Sequence, residues 1–267
     1  MVDGTAKCWG ENGGPTYRLL ATGSTAEFVT TPETVTQSGI VLHSRGLSSS
    51  CFVLSKEVRC TDNTGAKKLV SGLSTGISEI SSGYAHQCVR MNSGEVRCWG
   101  VGRAGQLGNG GTSFSSTPVV ATGVSNAVQV SAMNDFTCAL TQAGAVMCWG
   151  TGYGATPAVV PGLESGVSAI TTGHAASNLC VIMQNGGVKC KGNGTAGQLG
   201  NGQNKSLNVM VDVIGLEAPA ISLSTSLASS CVVLSNGKTL CWGNNGNGRL
   251  GVGDTANRNV PTPVVLP

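Results

Sequence analysis

Apolar positions along this chain recur with a period near two over short runs, and turn residues interrupt them every 5–12 positions. Alternation of that kind marks half-buried strands, because successive side chains of an extended backbone point to opposite faces. The stretch beginning at Ala127 shows it best. There the pattern predicts a first strand over Ala127–Ser131, a second over Phe136–Thr141, a third over Ala145–Trp149 and a short edge strand over Pro157–Pro161. No segment carries the helical period, and no apolar run approaches the roughly 18 residues a membrane helix needs. The expected class is all-β.

The strand groups repeat. Cys-Trp-Gly occurs at Cys8, Cys98, Cys148 and Cys241, with a degenerate copy at Cys190-Lys191-Gly192 and a weaker one at Cys60-Thr61-Asp62. These six cysteines follow one another at intervals of 38 to 52 residues, about 47 on average. That length holds four short strands and their turns, which is one blade of a β-propeller. All four tryptophans, Trp9, Trp99, Trp149 and Trp242, belong to this motif and are expected to pack blades together. Arg97 shares a strand face with Trp99, as Lys7 does with Trp9, so a cation–π contact is expected within each pair.

The other five cysteines, Cys51, Cys88, Cys138, Cys180 and Cys231, each precede a member of the series, by 9 residues in the first case and by 10 in the others. The four ten-residue intervals centre on Ser93, Ala143, Asn185 and Asn236, and glycine follows each: Gly94, Gly144, Gly186 and Gly237. A three-residue hairpin loop needs positive φ at its third position, where glycine fits without strain. Such a loop sets the two cysteines opposite each other, at a non-hydrogen-bonded pair within disulfide reach. The nine-residue interval keeps this pairing if its loop shrinks to Ser55-Lys56. Five disulfides are therefore expected: Cys51–Cys60, Cys88–Cys98, Cys138–Cys148, Cys180–Cys190 and Cys231–Cys241. Reduced cysteines used as small buried hydrophobes would have no reason to face each other. Zinc is disfavoured because there is no Cys-x-x-Cys and the three histidines are isolated.

By the ten-residue rule the partner of Cys8 would fall before residue 1, so Asp3 becomes the loop centre and Gly4 the turn glycine. Thr262-Pro-Val-Val-Leu266 matches Thr117-Pro-Val-Val120, the last strand of a repeat. The expected fold is a single β-propeller domain of four-stranded antiparallel blades over 1–267. It holds a partial blade at 1–35 and complete blades at 36–76, 77–126, 127–166, 167–217 and 218–267. On this reading the chain is a fragment of a six- or seven-bladed ring. That would account for the lack of a visible signal peptide.

Composition narrows the setting. The 40 glycines are about twice the usual share of roughly 7 %. Eleven cysteines are many for a reducing compartment. The net charge of +3 is scattered, Lys67-Lys68 being the only adjacent basic pair, so nothing argues for a nucleic-acid partner.

The glycine strings carry a resemblance. Gly105-Gln-Leu-Gly-Asn-Gly110 recurs at Gly197–Gly202, and more loosely as Gly248-Arg-Leu-Gly-Val-Gly253. Together with Cys-Trp-Gly, Thr-Pro-Val-Val and Ser82-Gly-Tyr-Ala-His-Gln-Cys88, these resemble the regulator of chromosome condensation repeat. The resemblance implies a β-propeller, usually of seven blades, serving as a rigid binding platform. Two repeats depart from it. The second has lost Trp-Gly and the Gly-Gln-Leu-Gly string, and the fourth has Thr151-Gly-Tyr-Gly-Ala155 in place of that string.

Enzyme-like strings find no support. Gly100–Gly105 and Gly192–Gly197 match G-x-G-x-x-G, but they recur with the repeat and lead into another turn rather than a helix. Ser74, in a G-x-S-x-G string, occupies the repeat position of Glu164 and Glu217 and is a turn residue. The 13 acidic residues form no obvious pair for glycoside chemistry. Asn193-Gly-Thr195 and Asn204-Lys-Ser206 are glycosylation sequons.

The expected function is a secreted or cell-surface module that binds a protein partner, without catalysis, metal, cofactor or membrane insertion. The turns between first and second strands differ most among repeats, and members of the resembled family use that face for protein contacts. The expected contacts are Tyr84, His86, Asn134, Asp135 and His174. Two rival functions are guanine-nucleotide exchange on a small GTPase, which needs a compartment where these cysteines stay reduced, and a secreted enzyme acting on polysaccharide.

Overall fold

The computed structural model describes residues 7–11, 28–34, 39–46, 49–55, 57–61, 66–171 and 178–265. Among them are 22 strands and one short 3-10 turn. Strands β1 (Lys7–Glu11) and β2 (Phe28–Thr34) form a two-stranded antiparallel sheet. Five four-stranded sheets follow, each with its strands side by side in chain order. The first holds β3 (Ile40–Arg45), β4 (Ser50–Leu54), β5 (Val58–Thr61) and β6 (Lys67–Leu69). The second holds β7 (Ile77–Ser82), β8 (His86–Met91), β9 (Val96–Gly100) and β10 (Ser115–Val120). In the third are β11 (Ala127–Ala132), β12 (Phe136–Thr141), β13 (Val146–Gly150) and β14 (Gly154–Val159). The fourth comprises β15 (Val167–Ile170), β16 (Asn178–Met183), β17 (Val188–Gly192) and β18 (Leu207–Asp212). The fifth comprises β19 (Ala220–Thr225), β20 (Ser229–Leu234), β21 (Thr239–Gly243) and β22 (Arg258–Pro263).

The three inner strands expected after Ala127 form within a residue of their predicted bounds. The fourth does not. Strand β14 starts at Gly154 rather than Pro157. Gly152 takes φ +81° and the Tyr153 N–H donates to Gly150 O at 2.9 Å, so the chain reverses at once and extends early.

The chain divides into two compact units, Met1–Thr137 with Trp149–Pro157, and Cys138–Cys148 with Ala158–Pro267. In the first, Val53, Val58, Val70, Leu73, Ile80, Val89 and Trp99 pack as one buried cluster. In the second, Ile182, Val188, Leu199, Val232, Leu234, Leu240 and Trp242 do so. Burial alternates along β3, β14 and β20, whereas β4, β8, β12 and β16 are buried at nearly every position. The period-two pattern is therefore carried by the alternating strands, and the second strands read as short continuous apolar runs covered on both faces.

The hairpins follow turn chemistry. Gly94, Gly144, Gly186 and Gly237 have φ of +83°, +80°, +80° and +83°. In the first, the Met91 N–H donates to Glu95 O at 2.8 Å and the Gly94 N–H to Met91 O at 2.9 Å, closing a three-residue loop. In the shorter hairpin the Leu54 N–H donates to Glu57 O at 2.8 Å, which leaves two residues in the turn. Disulfides join Cys51–Cys60, Cys88–Cys98, Cys138–Cys148, Cys180–Cys190 and Cys231–Cys241, with Cα atoms 4.0–4.1 Å apart. That spacing is nearer a non-hydrogen-bonded cross-strand pair than the wider bonded one. Cys8 lies on β1, its side chain outside the described residues. Alkylation without reductant is expected to label at most Cys8, and all eleven cysteines after reduction and denaturation. Intact mass reads the difference, and five labelled cysteines in the unreduced protein would contradict the pairing.

The expected stacking of Arg97 on Trp99 is replaced by a salt bridge. Arg97 Nε lies 2.5 Å from Glu95 Oε1, an opposite charge two residues back along the chain. Arg59 pairs with Glu57 in the same way. Both pairs are partly exposed and contribute little. The cation–π contact among the described residues is Lys67 Nζ, 5.9 Å from the centre of the Phe52 ring.

Candidate functional site

The glycine strings explain how neighbouring sheets are joined. Trp149 Nε1–H donates to Gln106 O at 2.9 Å, and Trp242 Nε1–H donates to Gln198 O at 3.0 Å. Each indole comes from the third strand of one sheet and each carbonyl from the long loop of the preceding sheet. The carbonyls accept a second bond, from Thr137 Oγ1 at 3.0 Å and Ser230 Oγ at 3.2 Å. The glutamine side chains brace their own loops, Oε1 accepting from the Ala104 and Ala196 N–H groups at 2.9 Å. Leu107 and Leu199 are buried beneath. Gly108 has φ +76°, and a Cβ there would lie 2.7 Å from Trp149 Nε1; Gly200 stands in the same relation to Trp242. The Gly-Gln-Leu-Gly string is thus a receptor for the next repeat's tryptophan. Where the 127–166 repeat lacks the string, the following repeat has Lys191 in place of tryptophan. Trp99 follows a repeat without the string and packs instead with Val58, Val70 and Leu73.

In the first unit, turns between first and second strands are tied directly to one another. The Tyr84 N–H donates to both Met133 O (3.3 Å) and Asn134 O (3.2 Å), tying two neighbouring turns side by side. Tyr84 is 47 % exposed, while Asn134 and Asp135 are half-buried. Asp135 O accepts from the Thr151 N–H at 2.9 Å, so the third-to-fourth-strand loop backs the same turn. Tyr84, Asn134 and Asp135 therefore lie in adjoining turns at one end of their two sheets. The corresponding turn in the second unit exposes Leu227 by 61 %. His174 and the Trp9 side chain lie outside the described residues.

His86 is a correction. It opens strand β8 instead of standing in the turn, and it is fully buried, so it cannot meet a partner. Its Nε2 lies 2.8 Å from Thr137 Oγ1, and that hydroxyl already donates to Gln106 O. Nε2 is accordingly the protonated nitrogen, and Nδ1 is buried with no bonding partner among the described residues. Burial pushes the His86 pKa down from 6.5 to about 4. Between those values the unfolded chain binds the extra proton and the folded one resists it. Stability is then complete above pH ~6.5 and falls by roughly 3 kcal/mol as pH drops towards ~4. Urea unfolding across that range is expected to show the loss and His86→Gln to reduce it, the share that stays coming from His43, whose pKa burial and then Arg45 also lower. Glu79, whose pKa burial raises, contributes with the opposite sign, so the comparison with the variant is decisive. Equal pH slopes in both proteins would refute the assignment.

Among the described residues no cluster of His, Cys, Asp and Glu fits a metal ion, and no helix is long and apolar enough to cross a membrane. Residues 93–140 and 236–267 match the Regulator of chromosome condensation (RCC1) repeat, and residues 77–106 match a second description of the same repeat. The chain is 27 % identical over 216 residues to the human E3 ubiquitin-protein ligase HERC2, covering 72 % of this chain and 4 % of that protein. It is 29 % identical over 211 residues to the human probable E3 ubiquitin-protein ligase HERC4, covering 70 % and 19 %. The chain thus spans a small part of these curated relatives. The crystal structure of Prp20p from Saccharomyces cerevisiae superposes with a TM-score of 0.83 over 98 % of this chain and 73 % of that one, at 15 % identity. Likeness at that identity speaks for the fold. With the five four-stranded sheets it makes this chain a β-propeller, which matches the regulator of chromosome condensation repeat over residues 77–140 and 236–267.

Proposed function

We propose that the chain is a protein-binding module of a secreted or cell-surface protein, and that the turns between first and second strands make the contacts. The observation that carries this is Tyr84, a half-exposed aromatic whose backbone is fixed by bonds to the neighbouring turn. A large side chain held on a rigid frame loses little entropy on binding, and such residues dominate interface energies. The five disulfides support an oxidising setting. Asn134 and Asp135 supply polar groups in the adjoining turn.

A partner enriched from the source's own extracellular fraction is expected to bind about 30-fold more weakly to Tyr84→Ala. Ser93→Ala, at the other end of the same sheet, should leave affinity unchanged. Equal loss in both variants, or in neither, would remove the turns from the interface. Guanine-nucleotide exchange is the second reading, favoured by the likeness to Prp20p, a protein studied for its binding to Gsp1p and histones. Acceleration of nucleotide release from a small GTPase by the oxidised chain would favour it.

A further inference from the structure

We propose that Asn247 is a site of spontaneous backbone modification, converting through a cyclic imide to aspartate and isoaspartate. The sequence holds eight Asn-Gly pairs, and Asn12-Gly13 lies outside the described residues. Such pairs are prone to this reaction because glycine offers no side chain to hinder the attacking nitrogen. In six of the seven described pairs the asparagine side chain is held. Asn109, Asn185, Asn193, Asn201 and Asn236 accept through Oδ1 from the N–H two residues on, at 2.9–3.2 Å. Asn245 is fully buried, its Oδ1 accepting from the Leu250 N–H at 2.9 Å and its Nδ2 donating to Asp254 O at 2.8 Å.

Asn247 differs on each count. It is exposed, its side chain bonds no described residue, and it is the non-glycine residue with positive φ (+63°) among the described residues. The attacking nitrogen does not distinguish it. Gly248 N–H is bonded to Asn245 O at 2.9 Å, but the glycine N–H groups of the other pairs are bonded too, as Gly186 is to Met183 O and Gly237 to Leu234 O. Selectivity therefore rests with the side chain.

Gly248 N loses its proton and bonds to Asn247 Cγ. The Cγ–Nδ2 bond breaks, and ammonia leaves with that proton. Water then opens the ring at either carbonyl, giving a carboxylate and one added negative charge. When the isoaspartyl product forms, the main chain gains a carbon and the left-handed geometry at this residue is released. The loop abuts the turn that exposes Leu227, since the Asn244 N–H donates to Ala228 O at 2.7 Å. The new charge thus arises on the loop bonded to that turn.

The oxidised native protein is to be incubated in mildly alkaline buffer and mapped by peptide fragmentation that separates isoaspartate from aspartate. Asn247 is expected to convert at least about fivefold faster than any other described Asn-Gly pair, the factor set by one net hydrogen bond. The reduced, denatured chain should lose this preference, and Asn247→Gln should remove the fastest phase. Another pair leading in the native protein would overturn the proposal. So would equal rates at all pairs, or no conversion where the denatured control converts.

Discussion

Reduction of all five disulfides is expected to unfold this protein. Each bridge closes a loop with a sequence separation of 9 or 10 residues. Restricting such a loop in the unfolded chain is worth roughly 2–3 kcal/mol, so five together reach about 12 kcal/mol. That is comparable to the whole net stability of an ordinary domain, roughly 5–15 kcal/mol. Eight of the ten bridged cysteines are buried, so reduction should be slow in native buffer and fast once denaturant opens the sheets. Urea unfolding read by circular dichroism, with and without thiol, tests this. Replacing both Cys138 and Cys148 by alanine should lower stability by about 2–3 kcal/mol alone. An unchanged urea midpoint in the fully reduced protein would show that the sheets hold without their bridges.

Gly108→Ala is expected to cost about 3 kcal/mol or more. Part is the φ of +76°, and the larger part is the indole of Trp149, whose nitrogen and ring carbons stand 2.7–3.1 Å from where the methyl would go. Trp149→Ala should cost about 3–5 kcal/mol, from the cavity and from the hydrogen bond lost at Gln106 O. The two effects should not add. With the indole gone the methyl has room, so the double variant should be more stable than the summed single losses by about 1–2 kcal/mol. Chemical denaturation of the four proteins measures this. Strict additivity would mean that something other than the indole requires glycine there.

The candidate site was less legible than the frame. Cysteine spacing and turn glycines are local signals, each confined to one hairpin, and they located every described bridge. Tyr84 is exposed by 47 %, as an aromatic in a turn should be. His86 was misplaced because the turn ends one residue before it: the Gly83 N–H bonds to His86 O, and this starts the strand pairing that turns the ring inward. Nothing in Ser82–Cys88 by itself distinguishes the last turn residue from the first strand residue. The bond to Thr137 that settles it comes from 51 residues along the chain.

The sequence alone determined the repeat, the strand periodicity, the hairpin turns and the pairing of cysteines. All of these follow from how a backbone reverses over a few residues and which side chains then share a face. Only the tertiary structure decided why Gly-Gln-Leu-Gly needs its second glycine, why tryptophan follows it one repeat later, and which residues of a turn face outward. Those answers depend on what the neighbouring sheet places against the chain, and that neighbour lies some 40 residues away, beyond the reach of any local pattern.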